Sequence, residues 1–183
     1  MTAPDPRTQA ELLDALRGEG QRVAAYFRAL APDTFFRGTD ADWSPAHHLE
    51  HLALAHTAIA GGLRAGARLP AHRSGVSRSY AQVRDAYRAA LAATPPAFFL
   101  ANPFAPTIQA DSGPHAAMQR YEAAHAHLVA QAGTWSEAEL DARAIAHPLL
   151  GPLTMREMLL FVLYHDAHHV ARVQEKSQPS PPA

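Results

Sequence analysis

Apolar residues recur along most of this chain at three- and four-residue steps, the period of an α-helix with one buried face. Leu12, Leu13, Leu16, Val23, Tyr26, Phe27 and Leu30 mark a first helix over about residues 7–30, closed by Pro32 and weakened in its middle by Gly18 and Gly20. A second starts at Ser44-Pro45, where the serine caps free amides and the proline occupies the first helical position. It carries Leu49, Leu52, His56, Ile59 and Leu63 along one seam and stops at Gly61, Gly62 and Gly66. Between Ala67 and Gly113 the pattern allows only a shorter helix, over about 79–93, and then a long proline-rich loop bearing Phe98, Phe99, Leu100 and Phe104. A loop of this length is expected to cover a site, and these apolar side chains to cover the core or make a dimer contact.

A third long helix spans about 114–132 and ends at Gly133. Ser136 to Glu139 reads as a capping box for a short turn of helix, and His147 to Pro152 as an extended turn. Thr154-Met155-Arg156-Glu157 is another capping box, opening a last helix that runs to about Glu175. Strand alternation never persists for more than a few residues. The pattern therefore predicts an all-α four-helix bundle with one short additional helix and a long loop.

Composition narrows the chemistry. A chain of 183 residues suits a single domain over 1–183, with polar, proline-rich ends at 1–8 and 177–183 expected to be flexible. With 16 basic residues against 17 acidic ones the net charge is −1, which gives no electrostatic footprint for nucleic acid or an acidic membrane. Neither a signal-peptide pattern nor an apolar run of membrane-spanning length occurs, so a soluble, cytoplasmic protein is expected. There is no cysteine, which excludes disulfides, thiolate metal sites and a catalytic thiol, but there are 12 histidines.

Seven of those 12 fall in two windows: His47, His48, His51 and His56 on the second helix, and His165, His168 and His169 on the last. Residues four apart on a helix share a face, so His165 and His169 form a bidentate clamp. Met155, Met158, Val162, His165, His169 and Val173 follow one another at helical steps, which turns both imidazoles into the bundle and His168 away from it. Burying unpaired imidazoles is costly, and a divalent ion removes that cost. Three imidazoles with open positions is the pattern of a catalytic metal site, and zinc, nickel, cobalt and ferrous iron all accept such a set. On the helical wheel His48 and His56 lie nearest the apolar seam, while His51 lies beside the small residues Ala55, Ala58 and Gly62. Spacing leaves the third ligand open among them.

Trp43-Ser44-Pro45-Ala46-His47-His48-Leu49-Glu50-His51-Leu52, then His147-Pro148, Gly151-Pro152-Leu153-Thr154 and Tyr164-His165-Asp166-Ala167-His168-His169-Val170, resembles the DinB-like superfamily of bacterial four-helix metalloproteins. The resemblance implies a metal held by His51, His165 and His169, and it selects His51 over His48. Zinc or nickel is the implied cofactor, with iron, cobalt or manganese as other divalent ions. It further implies a metal-dependent transferase using a low-molecular-weight thiol, of the bacillithiol, mycothiol or glutathione type, against an electrophilic substrate. The missing cysteine accords with a thiol supplied from outside. Many members have a glutamine three residues after the last histidine where this chain has Arg172, so any role of that glutamine does not carry over.

Two other readings stand beside this one. His165-Asp166-Ala167-His168-His169 has the His-acid-x-x-His form of a zinc hydrolase, with Asp166 in the general-base position. A non-catalytic metal- or ligand-binding bundle, as in a stress response, uses the same histidines without turnover. His72, His115, His125, His127 and His147 read as ordinary solvated or capping residues, and Arg64, Arg68, Arg73 and Arg78 as a basic rim near a thiol site.

Overall fold

The computed structural model describes residues 5–39, 42–68, 76–95, 105–106, 108 and 113–177. The elements in chain order are α1 (Gln9–Arg28), α2 (Pro32–Phe35), α3 (Pro45–Gly66), α4 (Tyr80–Ala93), α5 (Gly113–Ala132), α6 (Glu137–Ala142), β1 (Ala144–His147), β2 (Gly151–Thr154) and α7 (Met155–Ser177). The four long helices α1, α3, α5 and α7 form the bundle: α3 packs along α5, α1 against both α5 and α7, and α3 against α7, with α4 on the outer side of α7. Among the described residues no helix is long and apolar enough to cross a membrane.

Each predicted start is built as its residues require. Thr8, Ser44, Ser79 and Ser136 each accept a hydrogen bond from the third helical residue, whose side chain in turn bonds the cap's own amide. Thr154 and Glu157 exchange the same pair of bonds at the start of α7. In α3 the reciprocal partner is an imidazole, since the Ser44 amide donates to His47 Nδ1 at 3.1 Å.

Three expectations are corrected. The stretch 144–154 is an antiparallel hairpin, Ala144 opposite Thr154 and His147 opposite Gly151, turning through Pro148–Leu150 with Gly151 at φ +68°. His147 Nδ1 accepts from the amides of Leu149 and Leu150, both at 3.2 Å, and so closes the turn. Residues 5–8 are not frayed, because Pro6 is buried, Thr8 caps α1 and the Arg7 carbonyl accepts from Arg156 at 2.9 Å. Gly61 and Gly62 lie inside α3 rather than at its end, and a Cβ on Gly62 would meet Ile145 Cδ1 of the hairpin at 2.9 Å. The remaining parts of both ends, and Phe98, Phe99, Leu100, Phe104, His72 and Arg73, lie outside the described residues.

The apolar core is divided in two. Leu12, Leu16, Ala60, Leu63, Leu128, Ala132, Met155 and Met158–Leu163 belong to one cluster, and Val23, Phe27, Leu49, Leu52, Tyr121, Val170 and Val173 to the other. Every long helix changes cluster part-way along, and buried polar side chains occupy the change-over on three of them: His56 on α3, His125 on α5, and His165, Asp166 and His169 on α7. On α1 the change-over position is Gly20.

Candidate metal centre

His51 projects from the middle of α3, and His165 and His169 from successive turns of α7. All three are buried, at 7%, 4% and 8% exposure. His165 Nε2 stands 3.2 Å from His51 Nε2 and 3.1 Å from His169 Nε2. Two nitrogens each about 2.0–2.1 Å from one ion, at octahedral or tetrahedral angles, stand about 2.9–3.4 Å apart. The set fits a metal, and only neutral imidazoles bring their Nε2 lone pairs together in this way.

Neighbouring rings hold these imidazoles in place. Trp43 stacks on His169 at 6.2 Å between centroids and tilts over His51 at 5.1 Å, and Phe161 stacks on His165 at 4.9 Å. His48 Nδ1 lies 2.8 Å from His169 Nδ1. With an ion on Nε2 of His169, its Nδ1 would carry the proton and donate to His48, so that His48 would orient the ring and fix its tautomer. Burial first, then the charge of neighbouring imidazoles, holds His165 and His169 well below the ordinary value of 6.5. Burial, then repulsion by Lys176, lowers His48 to about 3.

The centre opens on a cavity of about 730 Å³. Its wall is apolar along Ala55, Ile59, Leu91, Ile145, Met158 and Phe161, while Arg172 and Lys176 line its charged part. Lys176 is paired with Asp42 and Arg172 with Glu175. The basic rim expected at Arg64, Arg68 and Arg78 is not part of this cavity among the described residues, and Arg78 is engaged by Glu157 at 2.9 Å.

Of the other histidines, His47 serves the α3 cap and His168 is half-buried against Tyr164. His147, read as an ordinary capping residue, does cap the hairpin turn and also lines the cavity. Asp166 does not face the cavity: it is fully buried, accepting from His56 Nε2 at 2.9 Å and from the Tyr121 hydroxyl at 3.2 Å. The general-base position suggested by the sequence motif is therefore withdrawn from substrate. His125, read as ordinary, is buried and bonded to the Leu16 carbonyl at 3.0 Å. Its hydrogen-bond acceptor lies 109 residues away in sequence, so no local pattern announces it.

Residues 15–173 match the sequence profile of the DinB superfamily. The chain belongs to the DinB superfamily. Solved structures share the fold. TT2238, described as a four-helix bundle protein, superposes with a TM-score of 0.56 at 21% identity, covering 92% of this chain and 99% of that one. YfiT from Bacillus subtilis, described as "a probable metal-dependent hydrolase with an unusual four-helix bundle topology", gives 0.61 at 15%, covering 92% and 85%. The colibactin self-resistance protein ClbS, solved in complex with double-stranded DNA, gives 0.63 at 15%, covering 95% and 99%. No curated protein matches this DinB chain at a significant level.

Proposed function

We propose that this DinB-superfamily chain is a mononuclear metal enzyme, with His51, His165 and His169 as the ligands of a zinc or nickel ion, and that it transfers a low-molecular-weight thiol to an electrophilic substrate. The observation that carries this reading is the convergence of three buried Nε2 atoms, 3.1 and 3.2 Å apart, on the wall of a 730 Å³ cavity. A bound ion supplies Lewis acidity that converts a thiol to its thiolate. His48 holds the His169 tautomer, and the Trp43 and Phe161 rings keep the imidazoles from turning. The apolar wall suits the body of an electrophilic substrate, and Arg172 and Lys176 are placed to exchange their partners Glu175 and Asp42 for the carboxylates of a thiol cosubstrate. The chain's own lack of cysteine leaves the cosubstrate as the source of sulfur.

A second reading, metal-dependent hydrolysis, is favoured by the description of YfiT. In it an ion held by His51, His165 and His169 would supply the acidity that activates water, because Asp166 is committed to His56 and Tyr121. The DNA in the ClbS complex does not move the reading from small molecules, since a net charge of −1 provides no phosphate footprint here.

The test is elemental analysis of untagged protein beside the His51→Ala/His165→Ala/His169→Ala variant, followed by a thiol screen on cobalt-loaded protein. Thiol binding should change the visible cobalt spectrum and support transfer to an electrophilic dye. Protein that binds no metal at these histidines under any loading condition overturns the proposal. Ester or amide cleavage without thiol moves it to the hydrolase.

A further inference from the structure

His147 ends β1 immediately before Pro148, and its ring is part of the hairpin side of the cavity. Pro148 has no amide, and the next two amides in the turn, those of Leu149 and Leu150, both donate to His147 Nδ1 at 3.2 Å. A nitrogen that accepts two N–H groups cannot also carry a proton, which excludes both the Nδ1–H tautomer and the imidazolium. The ring is therefore neutral, with its proton on Nε2. Burial acts in the same direction and lowers His147 to about 4.

That Nε2–H is left over. It makes no hydrogen bond among the described residues, and it is not sealed into the core as the unpartnered nitrogens of His48, His56, His125 and His165 are. The turn itself uses only Nδ1, and the shorter side chain of asparagine closes a turn in the same way. A purely structural role thus gives no reason for a second nitrogen held open to a cavity. The ring is also fixed: Phe161 packs edge-on against it at 4.4 Å between centroids and Tyr87 at 6.0 Å. Phe161 stacks in turn on His165 at 4.9 Å, which puts the donor one ring's breadth from the histidine cluster.

A fixed N–H donor stabilises an oxygen that gains negative charge during a reaction, because no reorganisation is needed when the charge appears. A neutral imidazole does this without repelling an ion held by His51, His165 and His169, as an imidazolium would.

We propose that His147 is a catalytic hydrogen-bond donor whose Nε2–H holds the carbonyl oxygen of the electrophilic substrate, and that the chain acts on carbonyl-activated electrophiles. The proposal rests on the preceding functional reading for the thiol and for the cavity as the place of reaction. The thiolate sulfur bonds to the β-carbon of a carbonyl-conjugated alkene, and the alkene electron pair shifts to leave an enolate oxygen on the Nε2–H. The enolate carbon then takes a proton from solvent, which balances the one released by the thiol. His147 keeps its own proton throughout, because Nδ1 is occupied by the turn and cannot relay one.

The experiment uses the full chain with isotope-labelled histidine and two variants that separate the two ring nitrogens. Asparagine places an acceptor where Nδ1 stands and nothing at Nε2, whereas glutamine places a donor at Nε2 and leaves the turn amides unbonded. Two-bond proton–nitrogen spectra should show His147 protonated at Nε2, and cyclohexanone, an unreactive carbonyl probe, should shift that nitrogen saturably. With cobalt-loaded protein and glutathione, His147→Asn should lower kcat about 100–1,000-fold toward cyclohexenone. Toward benzyl chloride, which develops no oxyanion, it should change little, and elemental analysis should find the metal content of the wild type. His147→Gln should recover most of the kcat while melting at a lower temperature. An Nε2 signal that cyclohexanone does not move overturns the proposal, and so does folded His147→Asn that keeps its rate with cyclohexenone or loses both rates equally. A shifted Nε2 in a wild type that transfers glutathione to neither electrophile supports the donor and defeats transfer from glutathione instead.

Discussion

Gly18 and Gly20 sit two residues apart in α1, and helix propensity alone makes alanine better than glycine at both by about 0.8–1 kcal/mol. The surroundings separate them. Gly18 has nothing within 4 Å of where its Cβ would be, so Gly18→Ala should stabilise the protein by about 0.5–1 kcal/mol. At Gly20 a Cβ would lie 2.9 Å from His125 Cε1 and nearer still to Nε2 and Cδ2, and the ring can yield only by giving up its 3.0 Å bond to the Leu16 carbonyl. Overpacking costs about 1–3 kcal/mol and stranding the buried donor about 1–3 more, so after the helical gain Gly20→Ala should destabilise by about 1–5 kcal/mol. For a chain of this size that is a drop of roughly 2–20 °C in Tm, against a rise of about 1–4 °C for Gly18→Ala. Urea and thermal melts followed by circular dichroism measure both. If Gly20→Ala is as stable as Gly18→Ala, His125 is not packed on α1 as described and the argument fails.

Other outcomes follow from the same contacts. His48, at about 3, and His147, at about 4, stay neutral in the fold while the unfolded chain protonates near 6.5, so stability should be level above pH 6.5 and fall below it. For His48, only 5% exposed, the loss at pH 5 is about 2 kcal/mol, and equal urea midpoints at pH 7.5 and 5 would contradict it. Replacing His48 by alanine removes the partner of His169 Nδ1 and should weaken metal binding about 10–100-fold without changing how many ions bind, as read by competition with a chelator. Arg156, 8% exposed and bonded to Asp141 at 2.7 Å, should cost about 2–3 kcal/mol when changed to methionine, less than a fully buried pair because Asp141 retains 27% exposure. Gly151→Ala places a Cβ at φ +68° and should lower stability by about 1–2 kcal/mol in the same melts.

Much of the architecture is legible in short range. The capping pairs at Ser44, Ser79, Ser136 and Thr154 lie within four residues of sequence, and the Met155 to Val173 stripe turns His165 and His169 inward by periodicity alone. The third histidine of the cluster was different: the helical wheel left His48, His51 and His56 open, and the family resemblance selected His51. The structure separates their surroundings, with His51 beside His165, His48 behind His169 and His56 on Asp166. The hairpin escaped notice because four-residue strands containing Pro152 show too little alternation to register. His125 and Gly20 escaped because each acquires meaning only from the other, 105 positions away along the chain.

The hairpin gives the molecule a separable design. The imidazoles stand on α3 and α7, whereas Ile145, Ala146, His147 and Leu149, which shape the opposite side of the cavity, stand on a two-stranded ribbon with its own turn. Ile145, Ala146 and Leu149 can be exchanged, and the cavity widened, narrowed or made polar, while the ligand rings stay on the helices, whereas His147 packs on Phe161 at 4.4 Å between centroids and through it on His165. Relatives that keep the same three histidines are thus free to differ in what they accept, and a designer seeking a new substrate would start at residues 145–149 and leave the helices alone.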